Sequence, residues 1–135
     1  MTMSVSLAVT PYYVAFNAAL LLLLAVGVVR QRIKAKVSFG DGGVPALQRA
    51  IRVHGNAVEY VPITLILLVC LELAGTAPAW LHALGVAISG ARLLHAYGLG
   101  QSSGRSFGRY WGIVATWTTI ADSILLLLFQ AAGRM

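Results

Sequence analysis

The chain has 135 residues, 59% hydrophobic and 10% charged, and its apolar stretches reach the length that crosses a bilayer. That excludes an ordinary soluble domain, and although the net charge is +6, no basic tract interleaved with aromatic residues supports nucleic-acid binding. The lone cysteine, Cys70, excludes an intramolecular disulfide and sits among aliphatic residues as a packing side chain, not a nucleophile.

These properties predict an all-α integral membrane protein, since helices satisfy every backbone polar group within lipid. The first predicted helix covers about residues 7–33. Residues 1 to 29 are uncharged, so the positive n-region of a cleaved signal is missing and PYYVAFNAALLLLLAVGVV is expected to remain as a span. The loop VSFGDGG leads to a second helix over about 46–74, opened by Pro45. Thr76 and Pro78 suit the start of a third helix over about 78–100, and the loop GLGQSSG separates it from a fourth over about 106–131. The four helices form one domain, 1–135, with no internal repeat. Arg30, Arg32, Lys34, Lys36, Arg49 and Arg52 lie between the first two apolar runs and Arg105 and Arg109 between the last two, while GTAP has no base and Arg134 stands alone at the C-terminus. The positive-inside rule then puts the first and third loops in the cytoplasm and both termini outside.

The second apolar run is continuous only from Val61 to Leu71, too short for a core that takes about 20 residues. To cross by Gly75 the span must begin near Gly55 or Asn56, which draws Asn56 and Glu59 inside the inner membrane boundary. On a helix, Arg52, Asn56, Glu59 and Tyr60 share about a third of the circumference, and His54 points almost the opposite way. A carboxylate at membrane depth is costly; it faces a bundle interior, pairs with a base and marks a functional path, or else it serves as a structural partner of Arg52.

Other helices bring bases to the same level: Arg30 and Arg32 end the first, Arg92 and His95 share a face in the third, and Arg105 and Arg109 begin the fourth. Snorkelling explains Arg32, Lys34 and Lys36, but explains Arg92 and Glu59 less readily. A pocket of Arg30, Arg52, Arg92 and Arg105, with Arg109 as a further candidate, beside Glu59 and Asn56, suits a polyanionic or zwitterionic ligand entering from the cytoplasm. A second, apolar reactant would arrive through the membrane. The residues alone also leave open a small proton-coupled drug exporter working through Glu59, and a non-catalytic membrane scaffold. Ala83, Ala87 and Ala91 and the Gly85/Ser89 pair give the third helix faces for close helix packing. Asp122 is expected to face the bundle interior and form an interhelical hydrogen bond, with a proton relay as the alternative, Glu72 and His82 to be solvated at the interface, and Trp80 and Trp111 to act as interfacial anchors. The three histidines lack metal-ligand spacing.

RAIRVHGNAVEYVP, with Arg52, Asn56, Glu59, Tyr60 and Pro62, together with VRQR at 29–32 and ARLLHAYG at 91–98, resembles the MAPEG family, membrane-associated proteins in eicosanoid and glutathione metabolism. The resemblance covers nearly the whole chain and suggests a bacterial-type member of the inner membrane, with its site facing the cytoplasm. It implies a homotrimer of four-helix protomers with glutathione bound as co-substrate between neighbours. Arg30, Arg52, Asn56, Glu59 and Tyr60 would come from one protomer and Arg92 and His95 from the next, with His54 serving the adjacent site. Arg105 would stabilise the glutathione thiolate, with Arg109 as its fallback. The implied reaction is attack of that thiolate on a lipophilic small-molecule electrophile or a lipid hydroperoxide, without a metal. Members that form eicosanoids carry tyrosines on the third-helix face; here the matching positions are His95 and Leu99, and Tyr97 points away by about 160°.

Overall fold

A computed structural model describes residues 6–101 and 104–133; Ser102, Ser103 and Arg134 lie outside the described residues. Four helices form in order: α1 (Thr10–Ala35), α2 (Pro45–Leu73), α3 (Pro78–Gln101) and α4 (Phe107–Ala132). The boundaries have local causes. Lys36 adopts the left-handed conformation at φ 56° and its N–H bonds back to the carbonyls of Arg32 and Ile33, closing α1. Gly40, Gly42 and Gly43 carry the following turn at positive φ, and Pro45 opens α2 where its missing N–H costs nothing. The α3 helix runs to Gln101, one residue past the expected end, and Ser106 holds that end: its Oγ donates to the Gly98 carbonyl at 2.9 Å and accepts from the Arg109 N–H at 3.3 Å as the N-cap of α4.

Three of the helices, α1, α2 and α4, are long and apolar enough to cross a membrane. At 24 residues α3 is about 36 Å long, so length is not what sets it apart. Its apolarity is diluted by Ser89, Arg92 and His95, which it turns inward and buries. It runs antiparallel to α4, from the Thr76–Gln130 hydrogen bonds at one end to the Gly98–Gly108 contact at the other. A Cβ at Gly98 would collide with the backbone of Gly108 and Arg109, and one at Gly112 would come within 2.6 Å of the His95 backbone nitrogen. Glycine at these crossings is what lets the two backbones touch. Leu22, Leu23, Ile33, Leu125, Leu128 and Phe129 face outward, a surface suited to lipid.

The end of the bundle formed by the α1 N-terminus is tied by side chains. Glu72 of α2 accepts from the N–H groups of Ala8, Val9 and Thr10 at 2.6, 2.7 and 2.7 Å, satisfying the orphan donors that begin α1. The Tyr13 hydroxyl lies 2.8 Å from His82 Nδ1, and Tyr13 packs against Gly85. One turn on, Asn17 donates to Ser89 Oγ at 2.9 Å. Val9, Leu68, Leu71, Leu81 and Leu84 form the apolar core between these ties. Glu72 and His82 therefore hold helices together, which goes beyond interfacial solvation. The expectation for Asp122 is corrected: it is exposed, and among the described residues it makes no hydrogen bond or ion pair. The buried stripe of α4 is Gly108, Gly112, Thr116, Thr119 and Ser123, which leaves Asp122 about 100° off it.

Candidate functional site

The opposite end, where α2 begins, α3 ends and α4 begins, gathers arginines. Arg92 forms its floor and has no exposed surface. Its guanidinium donates through Nη2 to Asn56 Oδ1 at 2.7 Å and through Nη1 to Thr116 Oγ at 3.2 Å, and stands 5.6 Å from the centre of the Tyr60 ring. One side chain thereby links α2, α3 and α4. Among the described residues no carboxylate comes within ion-pair distance of it, so a buried positive charge is held by neutral dipoles and a ring face.

Arg92 Nη2 also lies 3.2 Å from His95 Nδ1. A guanidinium has no lone pair to offer, so Nδ1 must be the acceptor and the proton of the neutral ring sits on Nε2. His95 is 4% exposed and lines two adjoining cavities, leaving Nε2–H as its remaining donor.

The first cavity, about 210 Å³, is bounded by Arg49, Arg52, Asn56, His95 and Arg109. The second, about 410 Å³, shares Asn56, His95 and Arg109 and adds Tyr60 and Arg105. Its far wall is Tyr110, Ile113 and Trp117, aromatic and aliphatic surface continuous with the outward face of α4. No carboxylate is among the described residues that line either cavity. Their volumes together fall in the range of roughly 300–1,000 Å³ usual for small-molecule sites.

The structure thus brings together Arg52, Asn56, Tyr60, His95, Arg105 and Arg109, with Arg92 beneath them. All come from one chain, because the short α2–α3 connection and the glycine crossings of α3 and α4 press those helices against the α2 stripe. Glu59 stands outside both cavities and meets Arg52 at 4.0 Å, with both side chains more than half exposed. Arg30 and His54 line neither cavity. Arg105 is exposed and makes no hydrogen bond or ion pair among the described residues, whereas Arg109 donates to the Gly104 carbonyl at 3.4 Å. Arg49 was not among the predicted residues, yet it continues the 52–56–60 stripe one turn back, at helical spacing. Tyr110 and Trp117 lie seven residues apart, on one face of α4 two turns along, with Ile113 between them.

Comparison with known proteins identifies the family of the chain. The chain is 38% identical over 121 residues to the inner membrane protein YecN of Escherichia coli (strain K12), covering 90% of this chain and 91% of that protein. Its counterpart of the same name in a second Escherichia coli strain matches equally well. Residues 10–129 match the pattern that defines the MAPEG family. The chain belongs to the MAPEG family.

Proposed function

We propose that the protein binds glutathione, holds it as a thiolate and directs it at lipophilic electrophiles or lipid hydroperoxides, as a membrane-bound glutathione transferase with peroxidase capacity. The observation that carries this reading is the paired cavity itself: four arginines, Arg49, Arg52, Arg105 and Arg109, surround a hollow with no acidic lining. Glutathione offers two carboxylates that arginine forks bind bidentately, and an ammonium that the outlying Glu59 can meet. The Asn56 amide and the Nε2–H of His95 supply neutral hydrogen bonds between the charged anchors.

Arg105 is the group we assign to the sulfur. A free thiol has a pKa of about 8.5 and is mostly protonated at neutral pH. A guanidinium beside it favours the anion and does not accept the proton, which leaves to water. In conjugation the sulfur lone pair forms a carbon–sulfur bond while the electrophile's leaving group departs or its strained ring opens. Tyr110, Ile113 and Trp117 make the apolar flank where a substrate dissolved in lipid reaches that sulfur. All four helices cross the membrane in this reading, with both termini outside and the arginine end in the cytoplasm. A homotrimer completes the site, since Arg30 and His54 stand outside the cavities of one chain and are available to a neighbour. The exporter alternative fits less well, because Glu59 lies outside both cavities and the arginines repel cationic cargo.

Titration calorimetry of the detergent-solubilised protein with glutathione tests the proposal, paired with ultraviolet absorbance of the thiolate. Saturable binding with a thiolate signal at neutral pH is the expected result. No binding at millimolar glutathione overturns it.

A further inference from the structure

A second concave surface lies between α3 and α4 toward the end remote from the arginines, and the function proposed above makes no use of it. It encloses about 450 Å³. Ala83 and Ala87 on α3 are small and exposed, which opens the groove, and buried Leu84 closes its floor. Leu125 of α4 extends the apolar wall, and Trp80, 62% exposed, stands at the mouth.

Into this apolar groove α4 puts one charged residue, Asp122. It lies ten residues before Ala132, about 15 Å along the axis from the end of the helix. An ionised carboxylate facing hydrocarbon is costly, and residues of this kind pair with an opposite charge. Among the described residues Asp122 has no such partner. Its neighbour Thr119 donates its own proton to the Ala115 carbonyl at 2.8 Å, so that hydroxyl presents only lone pairs to the groove. Carboxylate and acceptor hydroxyl are each complementary to an ammonium, and the remaining walls to an apolar body.

We infer that this groove binds a protonated lipophilic monoamine, with the ammonium on Asp122 and the hydrocarbon along Ala83, Ala87 and Leu125. The depth of Asp122 favours an amine that partitions into the bilayer over the headgroup of an aminophospholipid, which stays at the interface. The cation site and the arginine site are lined by different residues, in opposite halves of α3 and α4, so the two ligands do not compete for the same space.

The test uses the full chain in phosphatidylcholine nanodiscs and radiolabelled decylamine as the probe. Wild type is expected to bind it saturably, at one molecule per chain, with decanol failing to displace it. Asp122→Asn should weaken binding at least tenfold, whereas Asp122→Glu retains it because the charge is kept. Ala87→Trp should abolish it by filling the groove while leaving the acid in place. Should Asp122→Asn fail to fold, Ala87→Trp decides in its place. Wild-type binding by Asp122→Asn or Ala87→Trp overturns the inference, since the signal is then bilayer partitioning. Displacement of decylamine by phosphatidylethanolamine in the nanodisc overturns it in favour of a lipid headgroup. A fall in oligomeric mass by light scattering on Asp122→Asn overturns it in favour of a second copy of the chain seated on the carboxylate.

Discussion

Replacing Arg92 with lysine keeps the charge at the floor of the site and removes the fork. In the native arrangement one guanidinium reaches Asn56 Oδ1 at 2.7 Å and both Thr116 Oγ and His95 Nδ1 at 3.2 Å. A lysine ammonium is a point charge on a flexible stem and cannot hold three helices in that geometry. If it keeps one of these partners, two acceptors are left open, and each buried unsatisfied group costs about 1–3 kcal/mol. Asn56 faces the cavity and recovers part of that from water, so the expected net loss of stability is about 2 kcal/mol. The loss of orientation of Asn56 and His95 is expected to weaken glutathione about tenfold, equivalent to about 1.4 kcal/mol. Calorimetry on wild type, Arg92→Lys and Arg92→Met measures the affinity, and thermal unfolding in detergent measures the stability. Nitrogen-15 NMR of the His95 ring gives a readout that needs no ligand: wild type should show the Nε2–H tautomer, and Arg92→Met a mixture. Wild-type affinity together with an unchanged tautomer in both variants would refute the positioning role.

Arg105→Ala should raise the pH midpoint of the bound thiolate by somewhat less than one unit. The guanidinium is exposed and solvent screening limits its effect to about 1 kcal/mol; an unmoved midpoint transfers the role to Arg109. Glu72→Ala removes three hydrogen bonds to the start of α1, in a position that water reaches, and should cost about 2 kcal/mol in denaturant unfolding. If unfolding is unchanged, the cap contributes nothing. Gly112→Ala puts a methyl within 2.6 Å of the His95 backbone nitrogen and should lower both the unfolding temperature and glutathione affinity, because α4 must move away from α3. Retention of both would mean that the helices do not cross at that distance.

The periodicity of the second helix made much of the site legible before any coordinates. Arg52, Asn56 and Tyr60 repeat at helical spacing and do line the cavities, and Arg49 belongs to the same stripe but was counted with the loop charges. Arg92 is a lone base in the middle of a helix, so an inward direction followed from cost. That it is sealed beneath the site did not follow, because its burial depends on Thr116 and Tyr60 from other helices. Glu72 illustrates the same limit: its partners lie more than 60 residues away in the chain, and no local pattern points to them. For Asp122 the cost argument established that the charge needs a partner without saying whether its own chain supplies one. The phase of Thr116, Thr119 and Ser123 held the better clue. Gly98, counted with the GLGQSSG loop, meets Gly108 where α3 and α4 touch.

The two ends of the bundle treat polar residues differently, and the difference bears on function. At the α1 N-terminal end, Glu72 bonds to the start of α1, Tyr13 to His82 of α3, and Thr76 of the α2–α3 connection to Gln130 of α4. Each such pair has a sufficient structural reason to exist. At the arginine end the acid facing the cluster is Glu59, which meets Arg52 at 4.0 Å with both groups well exposed. Such a pair contributes about 0–1 kcal/mol and does not account for four arginines around one hollow. Arg92 adds a further positive charge beneath them, held by Asn56, Thr116 and the Tyr60 ring without a contacting carboxylate. Like charges gathered near low-dielectric surroundings repel one another, so packing alone gives no reason to concentrate them. An anion that enters the cavity relieves that repulsion and meets Asn56 and His95 already held in place by Arg92. The cost of the ligand-free arrangement is then the source of its affinity, which is why the arginine end reads as a binding site and the Glu72 end as a clasp.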